Sequence, residues 1–282
     1  MGNVLCPDLI TNLPKDIIDN ILIKLPIRDA LKTSILSSKW KYKWCSIPQL
    51  VFDENCVPLY YDQKHVVEFI CKVLSLHKGP LHKFEISHRY LQSCPEIDQW
   101  ILSLSKKNIA DLTLELGKDE FFRMPSCLFN CEKLTRLKLS CCELDLPHSF
   151  NKFPCLKSLN FERVLISSEA IERLISSCPL LENFSLTRVS RCLTLTIFAP
   201  KLKYLCLKGV FKDICLVDMP FLDEISVSMY MPNGPVGHVE PSTNCNFAKF
   251  LGSVPNLKRL DGFTDFSKVT FYCYQQIDGV LF

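Results

Sequence analysis

A chain of 282 residues exceeds the ~100–200 residues of an ordinary single domain, so two domains, or a small domain plus a repeat array, are the natural arrangements. With 48 % apolar and 22 % charged residues it can bury a sizeable core, which excludes global disorder, and only nine glycines argue against flexible linkers and phosphate-cradling loops. The net charge of +3 resides in residues 1–50, where seven bases face four acids; that excess suits an acidic protein partner and is too sparse for nucleic-acid binding.

Met1-Gly2-Asn3-Val4-Leu5-Cys6 resembles a myristoylation start, but Cys6 stands where Ser or Thr is required. An exposed terminus is therefore expected over lipidation at Gly2 or Cys6. Residues 9–50 then form a helical module. Pro14 suits the first turn of a helix, and Ile17, Ile18, Ile21, Leu22 and Leu25 follow at helical spacing until Pro26 stops it. A second short helix is predicted over 28–34, and a third around Trp40 and Trp44, one turn apart among Lys39, Lys41 and Lys43. So small a unit buries little surface by itself, so apolar area should remain for a partner.

Beyond residue 80 a pattern of apolar residues, Φ-x-x-Φ-x-Φ, recurs. It runs through Leu81-Phe84-Ile86, Ile109-Leu112-Leu114, Leu134-Leu137-Leu139 and Leu156-Leu159-Phe161. It continues through Leu181-Phe184-Leu186, Leu202-Leu205-Leu207 and Leu222-Ile225-Val227, and closes weakly at Leu257-Leu260. The starts lie 28, 25, 22, 25, 21, 20 and 35 residues apart, mostly in or near the leucine-rich-repeat range of about 20–29. The period of two places both apolar side chains of Φ-x-Φ on one face of a short strand. Stacked repeats make a parallel sheet with one continuous core that no single repeat can bury. Helices are predicted over 95–107, with Ile97, Trp100, Ile101 and Leu104, and over 168–177, with Ile171, Leu174 and Ile175 and an N-cap at Ser167 or Ser168. Residues 231–247, rich in Pro and Gly, read as a loop.

The run Leu13-Pro14-Lys15-Asp16-Ile17-Ile18, Ile21-Leu22, Leu25-Pro26-Ile27-Arg28-Asp29-Ala30, Ser34-Ile35-Leu36-Ser37-Ser38-Lys39-Trp40 and Trp44 resembles an F-box. The Leu-Ser-Ser-Lys-Trp variant followed by repeats is similar to the plant F-box, leucine-rich-repeat and FBD family. That resemblance implies an α/β architecture: a three-helix F-box at 9–50, a connecting strand (Leu50-Val51-Phe52-Asp53) and helix at 51–80, about eight repeats in an irregular solenoid with a parallel sheet at 81–262, and a cap or shortened end at 263–282. The family often carries a C-terminal FBD domain, for which the stretch after Leu260 is too short. It implies a substrate-receptor subunit of an SCF-type ubiquitin ligase. The F-box would dock on a Skp-type adaptor, and through it on a cullin, while the repeats hold an unknown protein substrate. Carried over position by position, the adaptor-facing residues are Leu13, Pro14, Ile17, Leu25, Pro26, Leu36 and Trp40, with Pro14 and Trp40 as anchors. Ile18, Ile21 and Leu22 read as internal packing, and Trp44 could equally cap the F-box against the first repeat.

No catalytic constellation stands out. There is no C-x-x-C, no zinc-type Cys/His spacing, no nucleophile elbow, no phosphate loop and no H-E-x-x-H helix. The 16 cysteines are expected to be buried, reduced thiols. The histidines, His77, His82 and His88 among them, are expected in solvated loops, as is the acidic cluster Glu115, Asp119 and Glu120. No catalytic, cofactor or metal-binding residues are therefore assigned, and no membrane span or nucleic-acid partner is expected. Localisation to cytoplasm and/or nucleus follows from the absence of a signal peptide. Two other readings compete: a decoy that binds the adaptor without a client, and a small-ligand receptor. The scattered bases Arg136, Lys138, Lys157 and Lys203 disfavour the second.

Overall fold

A computed structural model describes residues 13–56, 62–117, 121–230, 254 and 256–262. Gly2, Cys6, Asp119, Glu120, the 231–247 loop and the 263–282 cap lie outside the described residues. The chain divides into two compact units, Met1–Leu134 and Thr135–Phe282, a division that falls within the span expected for the repeats.

The first unit opens with helix α1 (Lys15–Lys24), which starts directly after Pro14 and ends where Leu25 turns extended ahead of Pro26. Helix α2 (Ile27–Lys32) follows and tightens into a 3₁₀ turn, Thr33–Ile35. The third predicted α-helix does not form. Residues 38–42 make turns, and Lys43–Ser46 is a 3₁₀ turn entered at Tyr42 with φ −128°. Ser37 and Ser38, which favour local turns over helix interiors, precede it. Both Trp40 and Trp44 nevertheless point inward and are buried.

Strand β1 (Gln49–Asp53), helix α3 (Gln63–Leu76), strand β2 (Lys83–Ser87), helix α4 (Glu96–Ser105) and strand β3 (Asp111–Glu115) complete the repeat-like part of this unit. They are followed by a two-residue strand β4 (Phe122–Arg123) and a 3₁₀ turn, Ser126–Asn130. β1, β2 and β3 are parallel and in register, so Leu50, Phe84 and Leu112 form one buried row and Phe52, Ile86 and Leu114 the next. α3 begins with its N-cap Asp62 accepting from the His65 backbone N–H at 3.0 Å.

The module is clamped to this sheet. The N–H groups of Lys78 and Gly79 donate to the Cys45 carbonyl at 2.8 and 3.2 Å. A Cβ at Gly79 would lie 2.7 Å from Ser46 Cα, so only glycine permits the approach.

The second unit contains β5 (Arg136–Ser140), β6 (Cys142–Glu143), β7 (Ser158–Glu162), α5 (Ser168–Ser176), β8 (Asn183–Phe198), β9 (Tyr204–Val217), β10 (Glu224–Tyr230) and β11 (Arg259–Gly262). β5, β7, β8, β9, β10 and β11 pair successively in parallel. The expected Φ-x-Φ pairs become two rows, Leu137-Leu159-Phe184-Leu205-Ile225-Leu260 and Leu139-Phe161-Leu186-Leu207-Val227. All are buried except Leu260. Each such side chain contributes ~1.5–3 kcal/mol by leaving water. α5 is capped by the Ser167 hydroxyl, which accepts from Ala170 N–H at 3.2 Å. β8 and β9 run on past the repeat strands, through a bulge beyond Thr187 with Arg188 at φ 56°, to a further ladder from Thr194↔Asp213 to Phe198↔Val217.

Candidate functional site

The helical module carries a concentration of uncovered apolar side chains. Ile18, Leu22, Ile27, Ala30, Trp40 and Trp44 form its core. The opposite faces leave Ile17, Ile21, Ile35, Leu36 and Tyr42 exposed, five of the thirteen exposed large apolar residues described, within residues 13–50. Ile35 is 87 % exposed at the end of its 3₁₀ turn, which Thr33 Oγ1 stabilises by donating to Ala30 O at 2.7 Å. Side chains of that kind concentrate binding energy when a partner covers them.

The seven residues assigned from the sequence separate accordingly. Pro14, Ile17, Pro26 and Leu36 are exposed, and Leu13 and Leu25 are half-buried. Trp40 is 2 % exposed, so the structure makes it core, and its role as a surface anchor is corrected. Its spacing from Trp44 had no means of revealing which side of the turn faced inward. Ile21, assigned to internal packing, is exposed, and Ile35 and Tyr42 join the surface without having been singled out. Ile21 was legible, because it lies one turn from Ile17. Ile35 was not, because a 3₁₀ turn follows a different period.

Basic residues border these side chains. Lys15, Lys24, Lys39 and Lys41 are exposed, and Lys41 Nζ lies 5.3 Å from the Tyr42 ring centroid. Beside Leu25 and Pro26 a cleft of about 230 Å³ opens, lined also by Ile27, Ile47, Val51 and Cys56. Gln49 fixes one wall, its Nε2 donating to Ile23 O at 2.8 Å. Asp53 is half-buried; burial opposes its ionisation, but hydrogen bonds from Asn55 and Cys56 prevail and lower its pKa. Burial pushes the Cys56 thiol up.

The sheet of each unit has a second face, opposite the apolar rows, on which Thr113, Ser140 and Cys206 are themselves buried. In the first unit it consists of Gln49, Lys83 and Asp111, then Val51, Glu85 and Thr113, then Asp53, Ser87 and Glu115. In the second, one row reads Arg136-Ser158-Asn183-Tyr204-Glu224, the middle row Lys138-Asn160-Ser185-Cys206-Ser226, and the third Ser140-Glu162-Thr187-Lys208-Ser228.

Two histidines expected in solvated loops are buried: His77 at 4 % and His88 at 2 % exposure. Among the described residues no cluster of His, Cys, Asp and Glu could hold a metal, and no helix is long and apolar enough to cross a membrane. Twelve of the cysteines, from Cys45 to Cys215, are free thiols; they are not all buried as expected, for Cys71, Cys94, Cys127 and Cys155 are half-buried and Cys215 is exposed.

Known proteins resemble the chain over both the helical module and the repeats. The F-box domain model matches residues 10–51. The model described as "FBD-associated F-box protein At5g56370, LRR repeats" matches residues 97–262. The F-box/FBD/LRR-repeat protein At1g13570 of Arabidopsis thaliana is 52 % identical over 266 residues, covering 93 % of this chain and 63 % of its own length. The FBD-associated F-box protein At5g56370 of the same plant is 31 % identical over 274 residues, covering 90 % and 63 %. The chain thus spans somewhat under two thirds of the length of these relatives.

Proposed function

The chain belongs to the plant F-box/LRR-repeat family, and from that premise we propose that it is a non-catalytic substrate receptor of an SCF-type ubiquitin ligase. Residues 9–50 dock on a Skp-type adaptor and through it on a cullin. The repeats of residues 81–262 hold a protein client, which a separate enzyme of the complex modifies with ubiquitin. The reading places the protein in the cytoplasm or nucleus, with its partner.

The observation that carries it is the group Ile17, Ile21, Ile35, Leu36 and Tyr42 on a module whose own core is already complete without them. Burying such side chains against a partner gains ~25 cal/mol per Å² of apolar area, less the cost of association. The surrounding lysines add attraction for an acidic adaptor and speed the encounter.

Co-expression with a Skp-type adaptor, followed by size-exclusion chromatography, tests the proposal. A stoichiometric complex is expected. A folded chain that elutes alone, with the adaptor separate, overturns it. A complex that assembles with adaptor and cullin but modifies no client in cells blocked for proteasomal degradation identifies a decoy.

A further inference from the structure

The cleft beside Leu25 and Pro26 is separate from the group that carries the receptor reading, since none of Ile17, Ile21, Ile35, Leu36 and Tyr42 lines it. It lies wholly within the first unit, between the last turn of α1 and strand β1. Its walls are apolar and held in place. Leu22, Ile27, Ile47 and Cys56 are buried, and Val51 is half-buried. Gln49 Nε2 donates to Ile23 O at 2.8 Å, tying β1 to α1, and Cys56 Sγ donates to Val51 O at 3.2 Å. The site is therefore formed before a ligand arrives, which lowers the cost of binding. Its volume, about 230 Å³, falls below the ~300–1,000 Å³ of drug-sized sites, so it suits a smaller molecule.

Its electrostatics favour a cation. Asp53 lines the cleft, and a carboxylate carries its charge at neutral pH. Oδ1 accepts from the backbone N–H groups of Asn55 and Cys56, both at 3.0 Å, and Oδ2 accepts from Asn55 Nδ2 at 3.0 Å. These bonds fix the group without neutralising it. No Lys, Arg or His among the described residues forms an ion pair with Asp53. A second source of negative potential is the helix. Leu22 to Leu25, on the same lining, belong to the C-terminal end of the ten-residue α1, where a helix concentrates about half a negative charge on its last carbonyls. Lys24, the cation of that end, is exposed.

We propose that this cleft binds a small primary amine with an apolar body. The ammonium pairs with Asp53 beside the carbonyl end of α1. The apolar body lies against Leu22, Ile27, Ile47 and Val51, and each methylene it removes from water contributes to affinity.

Saturation-transfer NMR on the full chain tests this with probes of one length: n-hexylamine, n-hexanol and hexanoate. Hexylamine is expected to bind at least tenfold more tightly than hexanol, and hexanoate more weakly than either. Asp53→Asn keeps an acceptor for Asn55 and Cys56. It should weaken hexylamine at least tenfold and leave hexanol unchanged, so that hexanol reports an intact cleft. Val51→Phe, which fills the cleft, should weaken both. Circular dichroism melts establish that the variants fold; if Asp53→Asn does not, the order of the probes on the wild type still decides. Equal binding of the probes, an amine affinity unchanged by Asp53→Asn, or no transfer from the folded chain to millimolar hexylamine overturns the inference. So does tighter binding of hexanoate, which would make Lys24 the recognising group. A further arm uses Nα-acetyl-lysine amide: binding tighter than that of hexylamine would make a polypeptide's lysine the occupant and overturn the free amine.

Discussion

His77 Nε2 donates a hydrogen bond of 2.8 Å to the carbonyl of Ile47, joining the end of α3 to the end of the helical module across thirty residues. On the other side of the ring, Lys107 Nζ lies 3.4 Å from Nδ1 and donates to the His77 carbonyl at 3.1 Å. The ring must therefore be neutral, with the proton on Nε2. Burial, above all, lowers its pKa, and Lys107 adds to this against the opposing bond to Ile47.

A depressed histidine pKa makes stability depend on pH with a definite sign. In the unfolded chain the ring takes up a proton below about pH 6.5, while in the folded chain it resists. The contribution is complete above that pH and is lost as pH falls through the folded pKa. Melting of the wild type should therefore decline below about pH 6.5 more steeply than that of His77→Gln. Parallel curves for the two would show that His77 is not the group responsible.

Core and surface in the module should separate cleanly under mutation. Trp40→Ala empties a fully enclosed site and is expected to cost ~3–5 kcal/mol of stability, unfolding the module and removing adaptor binding with it. Ile35→Asp changes a side chain that is 87 % exposed, so stability should move by no more than ~0.5 kcal/mol while adaptor binding falls. Chemical denaturation checks both.

The extended part of β8 has a guarded edge. Glu172 Oε1, on α5, accepts from the Thr196 backbone N–H at 2.5 Å. Glu172→Ala should cost ~1 kcal/mol and leave that strand edge open to pairing with other chains. Glu172→Gln keeps an acceptor and should retain most of the stability. Thermal melting and light scattering distinguish the pair.

Thiol reactivity should follow burial. Burial raises the pKa of Cys131 and Cys178 to about 12 and that of Cys94 to about 11, so few thiolates exist at neutral pH. Cys215 is exposed. Brief alkylation of the native chain at pH 7.5, read by mass spectrometry, should label Cys215 well ahead of those three.

The repeat strands were legible because their signal is a period. Every apolar pair from Phe84-Ile86 to Ile225-Val227 stands on a strand, in register with its neighbours within each unit. The same holds for α4 and α5, where 3.6-residue spacing and the Ser167 cap marked the element. What escaped was set by tertiary contact. Trp40 and Tyr42 lie two residues apart in one turn, yet one is buried and the other exposed. His77 has nothing in its neighbours to announce burial; it goes inside because Ile47 and Lys107 satisfy it. The long ladder of β8 and β9 crosses bulges that break the alternation a sequence pattern relies on. The second face of that sheet was visible only as the residues between the apolar pairs, and register brings Arg136, Tyr204 and Glu224 into one row.

The affinity of the full chain for a purified Skp-type adaptor, measured by calorimetry beside the double variant Ile17→Asp, Leu36→Asp, tests the receptor role most directly. Both substitutions fall on exposed positions, so the variant should melt as the wild type does. Tight binding by the wild type, and a loss of at least a hundredfold in the variant, is the predicted result. Equal affinities for the two, or a folded wild-type chain that binds no adaptor, would contradict it.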